Sequence, residues 1–273
     1  MAETINKRLW NNYSRFAKHR GWLVTQLLAD YIALEGAAVA DLGSGSGGIA
    51  LALAAAGASV TAIDFNTNHT DTLSRVAERE RLPVTVLHAD LDLWQPLRRY
   101  GAIVLWDVLE HVREPEKLLQ KCYHSLSDHG IVCLATPNKW SPPHLLADPH
   151  YSIPLLACAP RSVVKKVIVD GLHLFDNDKR DVAQLLSYAQ LTALVTAAGF
   201  KGTLITRRIL ELALARPESV WNRPWHLSAA RFLARPWVTR SMFRVLQSEE
   251  APIIRSWLPT LYMILRKDER AVA

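Results

Sequence analysis

Cysteine is scarce in this chain: three in 273 residues, Cys122, Cys133 and Cys158. They form no C-x-x-C pair, their number is odd and their spacing is wide. That excludes a disulfide framework or a zinc knuckle and points to buried or free thiols in a reducing compartment. Long apolar runs are missing too. None reaches the roughly 18–20 residues that a membrane-spanning helix needs. The first residues, Met1 to Lys7, lack the apolar core of a secretory leader, so a cytoplasmic protein is expected. Repeats and low-complexity tracts are absent. Acid is rare in one place. Between Lys201 and Gln247 nine Lys/Arg stand against two Asp/Glu, a local +7 in a chain whose formal net charge is +6. This late segment makes the protein basic, and the rest is close to neutral.

What is present is ample apolar material, 49% of residues, with 21% charged, enough for a core and against wholesale disorder. The length suits one large α/β domain carrying a substantial cap. The organising stretch runs from Ala37 to Ala50. A short apolar segment leads into Asp41-Leu42-Gly43-Ser44-Gly45-Ser46-Gly47-Gly48, and an Ala/Leu-rich segment follows to Ala56. That reads as strand, tight loop, helix. Glycines let the backbone turn and let a ligand approach the N–H groups of the helix start.

Two ligand classes use such a loop. Gly43, Gly45 and Gly48 satisfy G-x-G-x-x-G, and Asp64 lies where a ribose-binding acid belongs, so a nicotinamide dinucleotide site is one reading. Asp41 speaks against it, because a carboxylate there repels a pyrophosphate. It suits a ligand with a sulfonium and an ammonium group, such as S-adenosylmethionine (SAM). The stretch from Asp41 to Gly47 resembles motif I of the class I SAM-dependent methyltransferases, acid-x-G-x-G-x-G.

Later stretches fall in that family's order. A strand Ala58–Ile63 ends at Asp64-Phe65, where the acid can accept both ribose hydroxyls. A helix from about Asp71 to Arg81 follows. The strand Val84–His88 ends in Ala89-Asp90-Leu91, where the resemblance implies an acid bonding the adenine amino group. The apolar run Ala102–Trp106 reads as a buried parallel strand. It ends in Asp107-Val108-Leu109-Glu110-His111-Val112, similar to the L-E-H-V signature of ubiquinone- and small-molecule-type methyltransferases. A helix from Pro115 to about Leu126, an Asp128-His129-Gly130 turn and a strand Ile131–Thr136 complete this part. The alternation then stops between Lys139 and Asp181, resumes with a helix Asp181–Ala198 and a strand of about Gly202–Leu210, and stops again between Glu211 and Ser256. The run Trp257–Lys267 closes the chain, as the family's final antiparallel strand would.

The expected architecture is therefore a doubly wound, mostly parallel seven-stranded Rossmann-like sheet. Residues 1–36 would form an N-terminal helical lid, and insertions at about 139–181 and 211–256 a substrate cap. The resemblance implies a helical piece over the SAM site, from which Tyr13, Arg15, Arg20 and Trp22 could touch the cofactor; aromatics packed on the core with exposed arginines is the other reading. The resemblance implies that SAM is held by Asp41, Gly43, Ser44, Gly45, Gly47, Asp64, Phe65, Asp90, Leu91 and Asp107. Methyl transfer to a small-molecule hydroxyl is the expected reaction, with N- or C-methylation of a lipophilic or phosphorylated metabolite as the alternative. A dinucleotide oxidoreductase and a non-catalytic SAM-binding scaffold are the readings from other classes.

His111 is the first candidate base, since imidazole titrates near neutrality. Asp107 stands beside it, and His150 is the second candidate, brought from the first insertion. Glu110, Tyr151, Trp221 and Trp225 are candidate substrate contacts. Glu110 and His111 could also help bind a divalent cation, but two ligands make a thin metal site. The basic, Trp-rich second insertion has three readings: attraction of an anionic substrate, peripheral contact with an anionic membrane surface, or a solvated cap. Nucleic acid is disfavoured, because the asparagine- or aspartate-proline-proline-tyrosine motif of base-amino methylases is absent.

Overall fold

The computed structural model describes residues 19–171, 182–220, 224–245 and 252–268. Helix α1 spans residues 19–29 in its described part. Then come β1 (Ala38–Leu42), α2 (Gly48–Ala55), β2 (Ser59–Asp64), α3 (Thr67–Glu80), β3 (Val84–His88), β4 (Tyr100–Trp106), α4 (Pro115–Ser125) and β5 (Leu126–Pro137). The first insertion contributes α5 (Pro142–Leu146) and α6 (Arg161–Lys165), and the alternation resumes with α7 (Tyr188–Ala197) and β6 (Phe200–Leu204). Helices α8 (Thr206–Ala215), α9 (Pro224–Leu233), α10 (Pro236–Val245) and α11 (Pro252–Trp257) precede β7 (Thr260–Lys267).

The seven strands lie in the order β3-β2-β1-β4-β5-β7-β6. The pairs among β1 to β5 are parallel. Strand β7 runs antiparallel between β5 and β6. Successive strand residues face opposite ways, which divides the core in two. Ala40, Leu42, Ile63, Ile103, Leu105 and Leu134 face α4 and α7 through Leu118, Leu119 and Leu191. Val39, Val60, Ala62, Val104 and Ile131 face α1, α2 and α8 through Leu23, Leu27, Leu53 and Ile209. Helices on both faces bury the near-continuous apolar strands that the sequence shows. Cys122 and Cys133 lie in these layers, and burial pushes each thiol up to about 12, which leaves them inert at neutral pH.

Several element ends differ from expectation, each for a local reason. Helix α3 starts at Thr67, not Asp71, because the Asn66 side chain caps it by accepting the Asn68 N–H. The Asp128-His129-Gly130 turn lies within β5, where the pairing register slips between Tyr100 and Ala102. Helix α7 starts at Tyr188, not Asp181. Ser187 and Gln190 form a reciprocal capping box there, while Leu186 bridges Asn138 in parallel. Strand β6 stops at Leu204 instead of Leu210, because Ile205, Ile209, Leu212 and Ala213 are buried at helical spacing in and before α8.

Candidate active site

The parallel order β3-β2-β1-β4 places the carboxyl ends of four strands side by side. Ligands of open α/β sheets bind at such an edge. Asp41 lies near the end of β1, Asp64 ends β2, and Asp90 and Asp107 follow β3 and β4. The four acids read from the sequence therefore line one edge.

The glycine loop is folded back on the end of β2. The Gly43 and Ser44 N–H groups both donate to the Ile63 carbonyl, at 2.8 and 2.9 Å. Gly43, Gly45 and Gly47 have φ of 71°, 51° and 85°, whereas Gly48 is already the first residue of α2. The acid-x-G-x-G-x-G pattern, not G-x-G-x-x-G, thus marks the positions that need glycine. Close packing adds a second constraint. A Cβ on Gly43 would lie 2.5 Å from a Val108 methyl, and one on Gly47 2.2 Å from a Leu73 methyl.

Asp64 is fixed as an acceptor. The Gly45 N–H donates to Oδ2 at 2.8 Å and the Asn66 N–H to Oδ1 at 2.9 Å. His69 Nδ1 lies 3.4 Å from Oδ1. Burial pushes this carboxyl up, but His69 and the two N–H groups outweigh it and hold the group below its ordinary range. Asp64 stays ionised, so it can accept hydrogen bonds from a ligand's hydroxyls. Phe65 beside it is 61% exposed at the same edge.

Asp41 is the reverse case. It is buried, and Oδ2 has no hydrogen-bond partner among the described residues. Burial raises it to about 7, helped by the charge of Asp64 and opposed by a hydrogen bond from the Ala50 N–H. A buried acceptor without a donor beside a glycine loop fits a ligand that brings a cationic donor. The Ser44 hydroxyl is buried and lacks a partner among the described residues as well. The residues present fit SAM: a cradle without side chains, an ionised carboxylate that can accept ribose hydroxyls, and a buried carboxyl whose Oδ2 is left for an ammonium.

Asp90 Oδ1 accepts the Asp92 N–H at 2.9 Å, and Oδ2 lies 3.6 Å from Arg113. Leu91 is almost wholly buried behind it. Asp107 adopts φ 55°, uncommon for a residue with a side chain. Its carboxylate accepts a 2.8 Å hydrogen bond from Arg20 on α1. So the N-terminal helix reaches the site through Arg20. Trp22 instead packs into the core with Arg216 over its ring at 5.1 Å. Tyr13 and Arg15 lie outside the described residues.

Glu110 is 1% exposed. Thr136 Oγ1 donates to its Oε2 at 2.9 Å, while Oε1 has no partner among the described residues. Burial first, then the charge of Asp107, raises this carboxyl to about 7, against the opposing pull of His111. The first insertion brings His150 onto His111, with ring centroids 4.9 Å apart and planes nearly perpendicular. One ligand atom from each of Glu110, His111 and His150 falls within 4.8 Å of the others. The sequence offered only Glu110 and His111 for a cation, and the fold adds a third donor.

The remaining candidate substrate contacts are placed differently. The Tyr151 hydroxyl accepts the Ala183 N–H at 3.3 Å, and its ring joins the small core of the first insertion with Leu156, Val164 and Val182. Trp225 is 65% exposed on α9, its ring against His226. Trp221 lies outside the described residues. Two residues not singled out in the sequence also shape the site. Arg161 donates to the carbonyls of Glu110, Val112 and Val182 at 2.9, 3.0 and 2.8 Å, tying α6 to the turn after β4. Tyr262 on β7 is half-buried against Trp106, its ring centroid 5.5 Å away. Neither carries a local signature, because both act across long sequence separations.

Residues 14–205 match a family described as a methyltransferase domain. Over 144 residues the chain is 25% identical to the ubiquinone biosynthesis O-methyltransferase of Rickettsia prowazekii, covering 50% of this chain and 57% of that protein. Over 171 residues it is 25% identical to the enzyme of that name from Coxiella burnetii, covering 62% of this chain and 66% of that one. The chain thus spans less than two thirds of the length of these relatives. In fold it is similar to an S-adenosylmethionine-dependent methyltransferase from Mesorhizobium loti, with a TM-score of 0.54 at 18% identity, covering 91% of this chain and 98% of that one.

Proposed function

Because the chain belongs to the methyltransferase-domain family, among the class I SAM-dependent methyltransferases, we propose that it methylates a hydroxyl of a small organic acceptor. The observation that carries this reading is the convergence of Glu110, His111 and His150 beside Asp107 at the cofactor edge. The dinucleotide reading of Gly43, Gly45 and Gly48 has no support from the family or its relatives.

Bound SAM would supply an electrophilic methyl group, which the acceptor oxygen takes in line as the sulfur–methyl bond breaks and S-adenosylhomocysteine leaves. The chain's part is to hold, orient and deprotonate. Gly43, Ser44, Gly45 and Gly47 offer the backbone cradle, Asp64 the ribose acceptor and Asp41 the partner for the ammonium. Phe65, Asp90 and Leu91 stand where the adenine would lie. His111 takes up the acceptor's hydroxyl proton on an imidazole nitrogen as the oxygen attacks, and His150 fixes the ring edge-on. A positioned base of this kind contributes roughly 10²–10⁴-fold, and alignment of the reacting atoms supplies much of the rest. Relatives named ubiquinone biosynthesis O-methyltransferases support oxygen as the accepting atom. A cation held by the same three side chains is the second reading, favoured by their mutual distances. N- or C-methylation is the alternative chemistry for the same site.

The test is methyl transfer from labelled SAM to a panel of catechols and hydroxylated aromatic acids, with and without chelator. On this reading His111→Gln lowers kcat about a hundredfold or more while S-adenosylhomocysteine still binds, and chelation leaves the rate unchanged. An unaltered kcat in His111→Gln overturns the base. A rate lost to chelator and restored by a divalent metal assigns the cluster to a cation.

A further inference from the structure

Between Ser219 and Ser248 the chain has no Asp or Glu and carries five arginines. Four of them, Arg231, Arg235, Arg240 and Arg244, are exposed on or between α9 and α10. No carboxylate among the described residues pairs with any of the four. The same helical hairpin exposes large apolar side chains. Trp225 is 65% exposed, Trp237 63% and Phe232 48%.

The spacing sorts these residues onto faces. On α9, Trp225, Ser228, Ala229 and Phe232 recur at three- and four-residue intervals and are exposed. On α10, Trp237, Arg240, Ser241 and Arg244 do the same. The two faces meet at the bend, where Phe232 and Trp237 pack edge to face with centroids 6.1 Å apart and Arg235 lies 4.9 Å over the Phe232 ring. The opposite sides turn inward: Ala230 is buried, and Val238, Thr239, Met242 and Phe243 are half-buried. The outer surface is therefore basic and aromatic together, without acid to neutralise it.

We propose that the α9–α10 hairpin docks on a bilayer containing anionic phospholipid. Trp225, Phe232 and Trp237 enter the interfacial layer, and Arg231, Arg235, Arg240 and Arg244 meet headgroup phosphates. Exposed aromatics interleaved with arginine suit that boundary, where one end of each side chain is apolar and the other is wet. The guanidiniums are spread over two helices instead of converging on one point, so they match a charged plane better than a single small anion. No helix of the described residues is long and apolar enough to cross a membrane, so the hairpin lies on the surface. The Asn138 side-chain amide donates to the carbonyls of Arg255 and Leu258 at 2.7 and 2.9 Å, which ties the return into β7 to the end of β5. Docking is independent of the methyl-transfer reading and stands or falls separately.

The test is co-sedimentation of the full chain with phosphatidylcholine vesicles, with and without phosphatidylglycerol, over a range of salt. Binding is expected only with phosphatidylglycerol, and it weakens as salt rises. Replacing Arg231, Arg235, Arg240 and Arg244 by Ser lowers the partition coefficient by on the order of a thousandfold. The pair Trp225→Ala and Trp237→Ala lowers it with the charge unchanged. S-adenosylhomocysteine affinity, which these changes leave intact, reports that the variants fold. Equal binding to neutral vesicles, no binding, or binding indifferent to the arginines overturns the proposal. So does tighter binding to an RNA homopolymer than to the anionic vesicles, or a dimer that the two tryptophan changes dissociate.

Discussion

Arg20 on α1 donates a 2.8 Å hydrogen bond to the carboxylate of Asp107, tying the N-terminal helix to the turn after β4. Both side chains are about one-third exposed, so the pair adds little to global stability. Its effect is local, holding α1 over the glycine loop. Arg20→Ala is expected to weaken S-adenosylhomocysteine binding about tenfold with little change in Tm, because one charge-assisted hydrogen bond is lost. Calorimetric titration checks it, and unchanged affinity would separate α1 from the cofactor.

Asp41 makes cofactor binding depend on pH. Its carboxyl ionises at about 7 in the folded chain, and a cationic ammonium prefers the ionised form. Affinity for S-adenosylhomocysteine is therefore expected to rise with pH up to about 7, by at most about tenfold per unit, and to level off above. Asp41→Asn should bind weakly at every pH and show no such slope. A wild-type slope that survives in Asp41→Asn would assign the titration to another group.

Glu110 gives a stability prediction with a definite sign. Its pKa is raised from 4.5 to about 7 on folding. The folded state then holds a proton that the unfolded state has lost, so the group costs stability increasingly as pH climbs through that window. Glu110→Gln removes the cost. Its stability relative to wild type should be greater at pH 8 than at pH 6 by about 1 kcal/mol. Urea melts at the two values measure it, and a difference of opposite sign would mean that Glu110 is held ionised.

Arg161 satisfies three backbone carbonyls that flank His111 or face it across the insertion. Truncation leaves them short of donors, although the Gln184 N–H still serves Glu110. Arg161→Ala should lower kcat more than it changes S-adenosylhomocysteine affinity, and cost about 1–3 kcal/mol of stability. Arg161→Lys should recover only part of the rate, because an ammonium lacks the guanidinium fork. Full recovery by Lys would reduce the residue to a point charge.

Much of the cofactor edge was legible in the sequence because its parts are local. Asp41 and the glycines lie within seven residues, Asp64 ends a strand that the apolar pattern marks, and Asp90 and Asp107 each follow one within two residues. Asn66 was also readable as a cap. The His111–His150 contact was not, since a proline-rich insertion decides where His150 comes to rest. The first turn of α8 reads as strand in the sequence, because Leu204 to Leu210, apolar only at Leu204, Ile205, Ile209 and Leu210, is too short to separate a period of 2 from 3.6. The start of α7 was missed although Ser187-x-x-Gln190 spells a capping box. Trp225 and Trp237 illustrate a different limit: aromatic composition does not say which way a ring faces.

The last strand in the sheet's order is not the last in the chain. Strand β6 finds its neighbour in β7 alone among the described strands, and β7 joins it to β5. As the chain leaves the ribosome, β1 to β5 can assemble early, whereas β6 must wait for the whole basic hairpin to be made before it has anything to pair with. A chain cut short before Thr260 would therefore lose two strands, not one, and expose the apolar flank of β5 as an open edge prone to association.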